Sequence, residues 1–244
     1  MENSTFMKLC DIVCPKITVY DDMSRVRAGK DAIMVEMMLQ CLLRFLSGGS
    51  YHDIRLNAGI SLAKFYACIC KCMDAIQEPE DLAYKFPSTT KEVDKAAQGF
   101  EPLSSRAAMK GRVVCLVGYL VQIKVPSSSH TGNVKAYFSG HYLTYGRNVQ
   151  AVCDHKFRFV YAALAATVRA NDIAAFKKIQ FSQMIQKLPL RRFVVGENAY
   201  ICSETLLTPS SGVENDDPSK DAFNFYLSQM RICIEQTFGI MTGT

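Results

Sequence analysis

Four short segments between residues 113 and 239 constrain this chain most, because each joins an apolar run to a glycine or an acid at its end. They are V-V-C-L-V-G-Y-L (113–120), R-A-N-D-I-A-A-F (169–176), F-V-V-G-E-N-A-Y (193–200) and S-Q-M-R-I-C-I-E-Q-T-F-G (228–239). Period-two runs come first, and a strand and a long helix carrying acids follow. That order predicts a mixed α/β layer structure, a sheet with helices packed on it.

Within 111–244 the spacing predicts paired strands at 113–117 and 120–125 around Gly118-Tyr119. Two further strands, 148–153 and 157–166, are joined at Asp154-His155-Lys156. A helix starts near Asp172, 193–195 is a short buried strand, 208–221 is a polar loop, and 222–238 is an amphipathic helix. Phe223, Tyr226, Met230, Ile234 and Phe238 form its expected buried stripe.

The N-terminal third has a different period. Residues 31–77 read as helical, with Ser47-Gly48-Gly49-Ser50 ending the first helix and a short second helix at 51–56. Ser61 is placed to cap a third helix through Ile76, with Phe65, Ile69, Met73 and Ile76 on its apolar face. A helix, a short helix, a Gly turn and a Ser-capped helix outline a helix-turn-helix, whose last helix enters the DNA major groove. Arg55, Ser61, Lys64 and Lys71 are then the candidate DNA contacts, although three packed helices need no DNA to explain them. The expected domains are a helical region at 1–77, a linker at 78–110 with a short helix at 91–99, and an α/β domain at 111–244.

Composition narrows the function classes. Apolar residues make up 49% of the 244 and charged residues 21%, as in ordinary folded proteins. The run at 159–168 is about half of the ~20 residues a membrane span needs. The first residues lack a signal-peptide pattern, so an intracellular protein without a membrane partner is expected. The net charge of +5 is a mild bias, but 106–158 holds Arg106, Lys110, Arg112, Lys124, Lys135, Arg147, Lys156 and Arg158 against Asp154 alone. Such a field suits a polyanion. The ten cysteines lack paired zinc spacing and read as buried, reduced thiols.

Acids from distant segments that meet at strand ends suit metal-dependent phosphodiester chemistry. Two divalent ions can generate the attacking oxygen and stabilise the leaving one, and hard carboxylate oxygens hold them. Asp172, Glu197 and Glu235 are the candidates. Each also has an ordinary reading: a helix-start residue for Asp172, a loop residue for Glu197, and the i+4 partner of Arg231 for Glu235.

The strings Y-F-S-G-H-Y-x-T-Y-G-x-N-V-Q-A-V-C-D (137–154), G-E-N-A-Y (196–200) and N-F-Y-L-S-Q-M-R-I-x-I-E-x-x-F-G (224–239) resemble the Harbinger-type DDE endonucleases, the nucleases of a eukaryotic DNA transposon family. The resemblance implies an RNase H-like sheet, DNA as substrate, Mg²⁺ or Mn²⁺ at a carboxylate cluster, and a nuclear location. It gives Asp172, Glu197 and Glu235 the catalytic, metal-ligand role. It also allows an accessory DNA-binding partner.

Several positions depart from the family pattern. Val117 stands where the family has its first catalytic Asp, and a hydrocarbon cannot coordinate a cation. Glu197 stands where an Asp is usual. Thr167-Val168-Arg169 replaces a Pro-Gly-Gly turn, and relatives continue past Thr244 with a basic, apolar segment, so the domain is expected to be truncated at its C-terminus. Asp154 is weighed as a substitute ligand. The expectation is a transposase-derived nuclease-like protein with catalysis lost or severely reduced. A non-catalytic DNA- or protein-binding module is the alternative.

Overall fold

The computed structural model describes residues 2–29, 31–105, 108–168, 171–210 and 217–242. The chain divides into two compact units, one up to Ala83 and one from Tyr84 onward, and each is described by itself.

The first unit is helical: α1 (Asn3–Val13), α2 (Asp21–Ala28), α3 (Val35–Leu46), α4 (Tyr51–Asn57) and α5 (Leu62–Gln77). Helix α3 buries Met38, Leu39, Cys41 and Leu42, and ends where Gly48 takes a φ of 83°. The Ser61 hydroxyl accepts from the Lys64 backbone N–H at 3.3 Å and satisfies one of the free donors at the start of α5. The buried face of α5 is Phe65, Cys68, Ile69, Cys72 and Ala75, packed on Met38, Leu42 and Ile54. Met73, expected on that face, is exposed. At about 100° per residue it lies about 80° around the helix from Phe65.

The second unit begins before the sheet does. Most of the stretch read as a linker belongs here: α6 (Thr90–Phe100) buries Val93, Ala97 and Phe100. Its start is fixed by a capping box in which Thr89 accepts from the Glu92 N–H and the Glu92 carboxylate accepts from the Thr89 N–H. The strands are β1 (Arg112–Gln122), β2 (Phe138–Ser139), β3 (Thr144–Cys153), β4 (Phe159–Thr167), β5 (Phe193–Val195) and β6 (Leu206–Leu207). They run in the order β2-β3-β1-β5-β6, with β4 also on β3. The β1–β3 and β3–β4 pairs are antiparallel, and β1–β5 and β5–β6 are parallel. This is a mixed sheet, as the sequence predicted.

The expected hairpin at Gly118-Tyr119 does not form. Strand β1 runs straight through, pairing Val117 with Ala151, Gly118 with Gln150 and Tyr119 with Val149. Gly118 instead leaves room for the Asp172 carboxylate above the strand.

Side chains alternate across β1. Val114 and Leu116 join the core under α7 (Asp172–Lys178) and α8 (Phe181–Met184), with Ile179, Phe181, Val194, Tyr200 and Leu206. Cys115 and Val117 face the other way, against Leu227, Met230, Cys233 and Ile234 of α9 (Pro218–Thr242). Burial of these side chains contributes roughly 1.5–3 kcal/mol each. The stripe predicted for α9 is rotated: Leu227, Cys233 and Thr237 are buried, while Tyr226 is only half-buried. Part of the predicted 208–221 loop, residues 211–216, lies outside the described residues. All ten cysteines are free thiols, and no helix among the described residues is long and apolar enough to cross a membrane.

Candidate functional site

The candidate acids meet β1 from opposite faces. Strand β5 lies parallel to β1 with Val195 beside Cys115. Val195 shares the α9 face with Cys115 and Val117, so Glu197, two residues on, points to that face as well. There it meets Arg231 of α9, whose terminal nitrogen lies 3.5 Å from Glu197 Oε1 and 2.9 Å from Glu235 Oε1. One guanidinium therefore bridges two of the three acids. Arg231 and Glu197 are half-buried and Glu235 is exposed. Burial pushes the Glu197 carboxyl above its ordinary value, Arg231 pulls it back down, and the charges of Asp172 and Glu235 add to the upward push.

Val117 is buried in the α9 core, in one cluster with Cys115, Val195, Met230 and Ile234. Its isopropyl group offers no oxygen to a cation.

Asp172 is on the other face. Asn171 caps α7, its side chain accepting from the Ala174 N–H at 2.9 Å. Asp172, the first residue of α7, reaches over Gly118, where its Oδ1 occupies the space a Cβ would fill. Residue 118 projects opposite to 117, so Asp172 and Val117 lie across the strand from each other. Asp172 Oδ1 accepts from Asn148 Nδ2 at 2.8 Å and Gln150 Nε2 at 3.2 Å. Gln150 also donates to Asn148 Oδ1 at 2.7 Å and accepts from the Tyr200 hydroxyl at 2.6 Å. The Asn148-x-Gln150 alternation on an apolar strand was the available signal for this network, since polar residues two apart share a face. Arg231 was legible only as the i−4 partner of Glu235, and its reach to Glu197 follows from packing.

Asp154 does not stand in for the missing oxygen. Its carboxylate accepts from Arg158 at 2.6 and 2.9 Å and from the backbone N–H groups of Lys156 and Arg158. The basic stretch is thinner than its sequence suggests. Arg112 is fully buried, donating to the Met230 carbonyl at 2.7 Å beneath the Phe100 ring. Arg158 and Lys110 are paired with Asp154 and Glu101. Lys124, Lys135 and Lys156 remain exposed, Arg147 is half-buried, and Arg106 lies outside the described residues.

In the helical unit Lys64 is exposed on the first turn of α5 and Arg55 is half-buried on α4. Lys71 donates to the Thr18 carbonyl at 3.3 Å. Ser61 uses its hydroxyl oxygen for the cap.

A sheet flanked by helices, with acids from a strand end and the last helix on one face, defines a nuclease-like α/β domain. The family described as DDE superfamily endonuclease matches residues 116–244, more than half of the chain, and the chain belongs to that family. No curated protein and no solved structure matches it significantly.

The family implies a divalent cation, and the donor set can be tested against it. Among the described residues no group of three or more His, Cys, Asp and Glu side chains is placed to hold a metal ion. Glu197 and Glu235 share Arg231, Val117 offers no oxygen, and Asp172 is across the sheet, held by two amides. These residues do not fit a two-metal centre.

Proposed function

We propose that this chain is a nuclease-like protein derived from a Harbinger-type transposase, with an RNase H-like domain whose DNA-cleaving chemistry is lost or severely reduced. The observation carrying this reading is Val117, a buried hydrocarbon on the sheet face that also carries Glu197 and Glu235, two acids that share one arginine. Of the inherited triad, Glu197 and Glu235 belong to the α9 face, and an aspartate at 117 would be their natural third member. The substrate class is DNA, and the location is the nucleus.

The test is cleavage of supercoiled plasmid with Mg²⁺ or Mn²⁺ by wild type and Val117→Asp. We expect no metal-dependent nicking by wild type. Cleavage by the unmodified protein, abolished by Glu235→Ala, would overturn the reading.

The alternative reading is a non-catalytic DNA- or protein-binding module, and for DNA it means metal-independent binding by the helical unit. Its basis is the arrangement of α3, α4 and α5, with Ser61 capping α5 and Lys64 exposed at that end. Arg55 is a secondary contact, Lys71 being engaged with the Thr18 carbonyl, and a partner protein could supply target recognition. Salt-sensitive binding to duplex DNA in EDTA tests it, and no binding at low salt would remove it.

A further inference from the structure

We infer that Asp172 is a positioning residue: through Gln150 and Tyr200 it holds the turn that carries Glu197, and it acts from the face of β1 opposite α9. The inference rests on the nuclease reading only for what Glu197 is for.

The hydrogen bonds run in one direction. An ionised carboxylate only accepts, so Asp172 Oδ1 fixes Asn148 Nδ2 and Gln150 Nε2 as donors. Gln150 uses its two amide hydrogens on Asp172 Oδ1 and Asn148 Oδ1, leaving Oε1 as the acceptor for the Tyr200 hydroxyl. Turning the Gln150 amide over would set its oxygen against the Asp172 carboxylate and Asn148 Oδ1. One orientation survives.

Burial makes that orientation matter. Gln150 is 0% exposed and Tyr200 4%. An unpaired polar group in such a place costs its full desolvation, so each member depends on the next. The Tyr200 backbone N–H donates to the Glu197 carbonyl at 3.1 Å and closes the turn after β5. The Tyr200 ring packs on Phe176 of α7, 5.5 Å between centroids, the same helix that presents Asp172. The turn is thus held by a side-chain relay and by a ring contact to one helix. Gly118 completes the arrangement by leaving Asp172 Oδ1 room above β1.

Hydrogen exchange of the Tyr200 amide, followed by NMR without metal or DNA, tests the relay. Asp172→Ala removes the acceptor and is expected to speed exchange by about tenfold. Asp172→Asn keeps an oxygen facing Asn148 and Gln150 and is expected to exchange like wild type. Should Asp172→Ala fail to fold, Tyr200→Phe reads the relay backwards, since coupling is reciprocal: the Ala175 amide of α7 should exchange faster. Unchanged Tyr200 exchange in Asp172→Ala, an Asn variant as labile as the Ala variant, or an unmoved Ala175 amide in Tyr200→Phe would each overturn the inference. The cleavage assay is a separate readout, so either idea can fail alone.

Discussion

Gly118 and Asp172 share one space: the carboxylate oxygen of Asp172 sits where any side chain on residue 118 would begin. A methyl group there must displace Asp172 from Asn148 and Gln150, and the Gln150 amide is close behind. Gly118→Ala is therefore expected to destabilise the protein by about 1–3 kcal/mol, the usual cost of overpacking. Urea unfolding should show a lower midpoint with an unchanged slope. A neutral substitution would mean that Asp172 moves aside without cost.

That glycine also shows where sequence reading ends. Gly118-Tyr119 between two apolar runs has the form of a turn. Its actual role depends on Asp172, 54 positions later, and nothing local announces it. Signals that depend on near neighbours were legible: β5 is an apolar run stopped by Gly196, and α5 starts after a serine cap. Glu197 and Glu235 were legible as acids at a strand end and on a helix. That Arg231 joins them, and that Asp172 does not, follows from strand parity and helix packing.

Val117→Asp introduces a carboxylate into a buried apolar cluster that includes Cys115, Val195, Met230 and Ile234. It also adds a third negative charge to the sheet face that carries Glu197 and Glu235. In EDTA the variant is expected to lose about 1–3 kcal/mol of stability, since burying a polar group without a partner costs that much. A Tm that rises with Mn²⁺ in this variant, and not in wild type, would report that the added oxygen completes a cation site. Equal Tm values in EDTA for the two proteins would mean the cluster is wetter than its burial implies.

Arg231→Gln removes the guanidinium that neutralises half-buried Glu197. The pair with Glu235 is exposed and contributes only a few tenths of a kcal/mol, as helical i,i+4 pairs do. The larger loss comes from Glu197. A total of about 1–2 kcal/mol is expected, in the range of hydrogen bonds to charged groups. Glu197→Gln in the same background should recover most of it, and denaturation of the single and double variants measures this coupling.

Asp154 makes an acid-sensitive contribution. Burial alone would raise its carboxyl, but the Arg158 side chain and the N–H groups of Arg158 and Lys156 outweigh burial and hold it below its ordinary value. A group whose folded pKa is depressed stabilises fully above its unfolded value, about 3.9 for Asp, and loses that stabilisation as pH falls through the folded value. Asp154→Asn should therefore be less stable than wild type at neutral pH, with the gap closing below about pH 4. A gap independent of pH would assign the effect to packing.

Lys64 and Lys71 separate DNA contact from structure in the helical unit. Both lie on α5, and both would read as phosphate contacts from sequence alone. Lys71 already donates to the Thr18 carbonyl, whereas Lys64 is exposed beside the Ser61 cap. Each phosphate contact neutralised by a lysine contributes about 0.9 to the slope of log K against log salt. Lys64→Ala is expected to lower that slope by about 1 on duplex DNA and weaken binding uniformly across sequences. Lys71→Ala should leave the slope within error and lower the thermal stability of the helical unit. Equal slopes for wild type and Lys64→Ala would place the DNA-binding surface away from the start of α5.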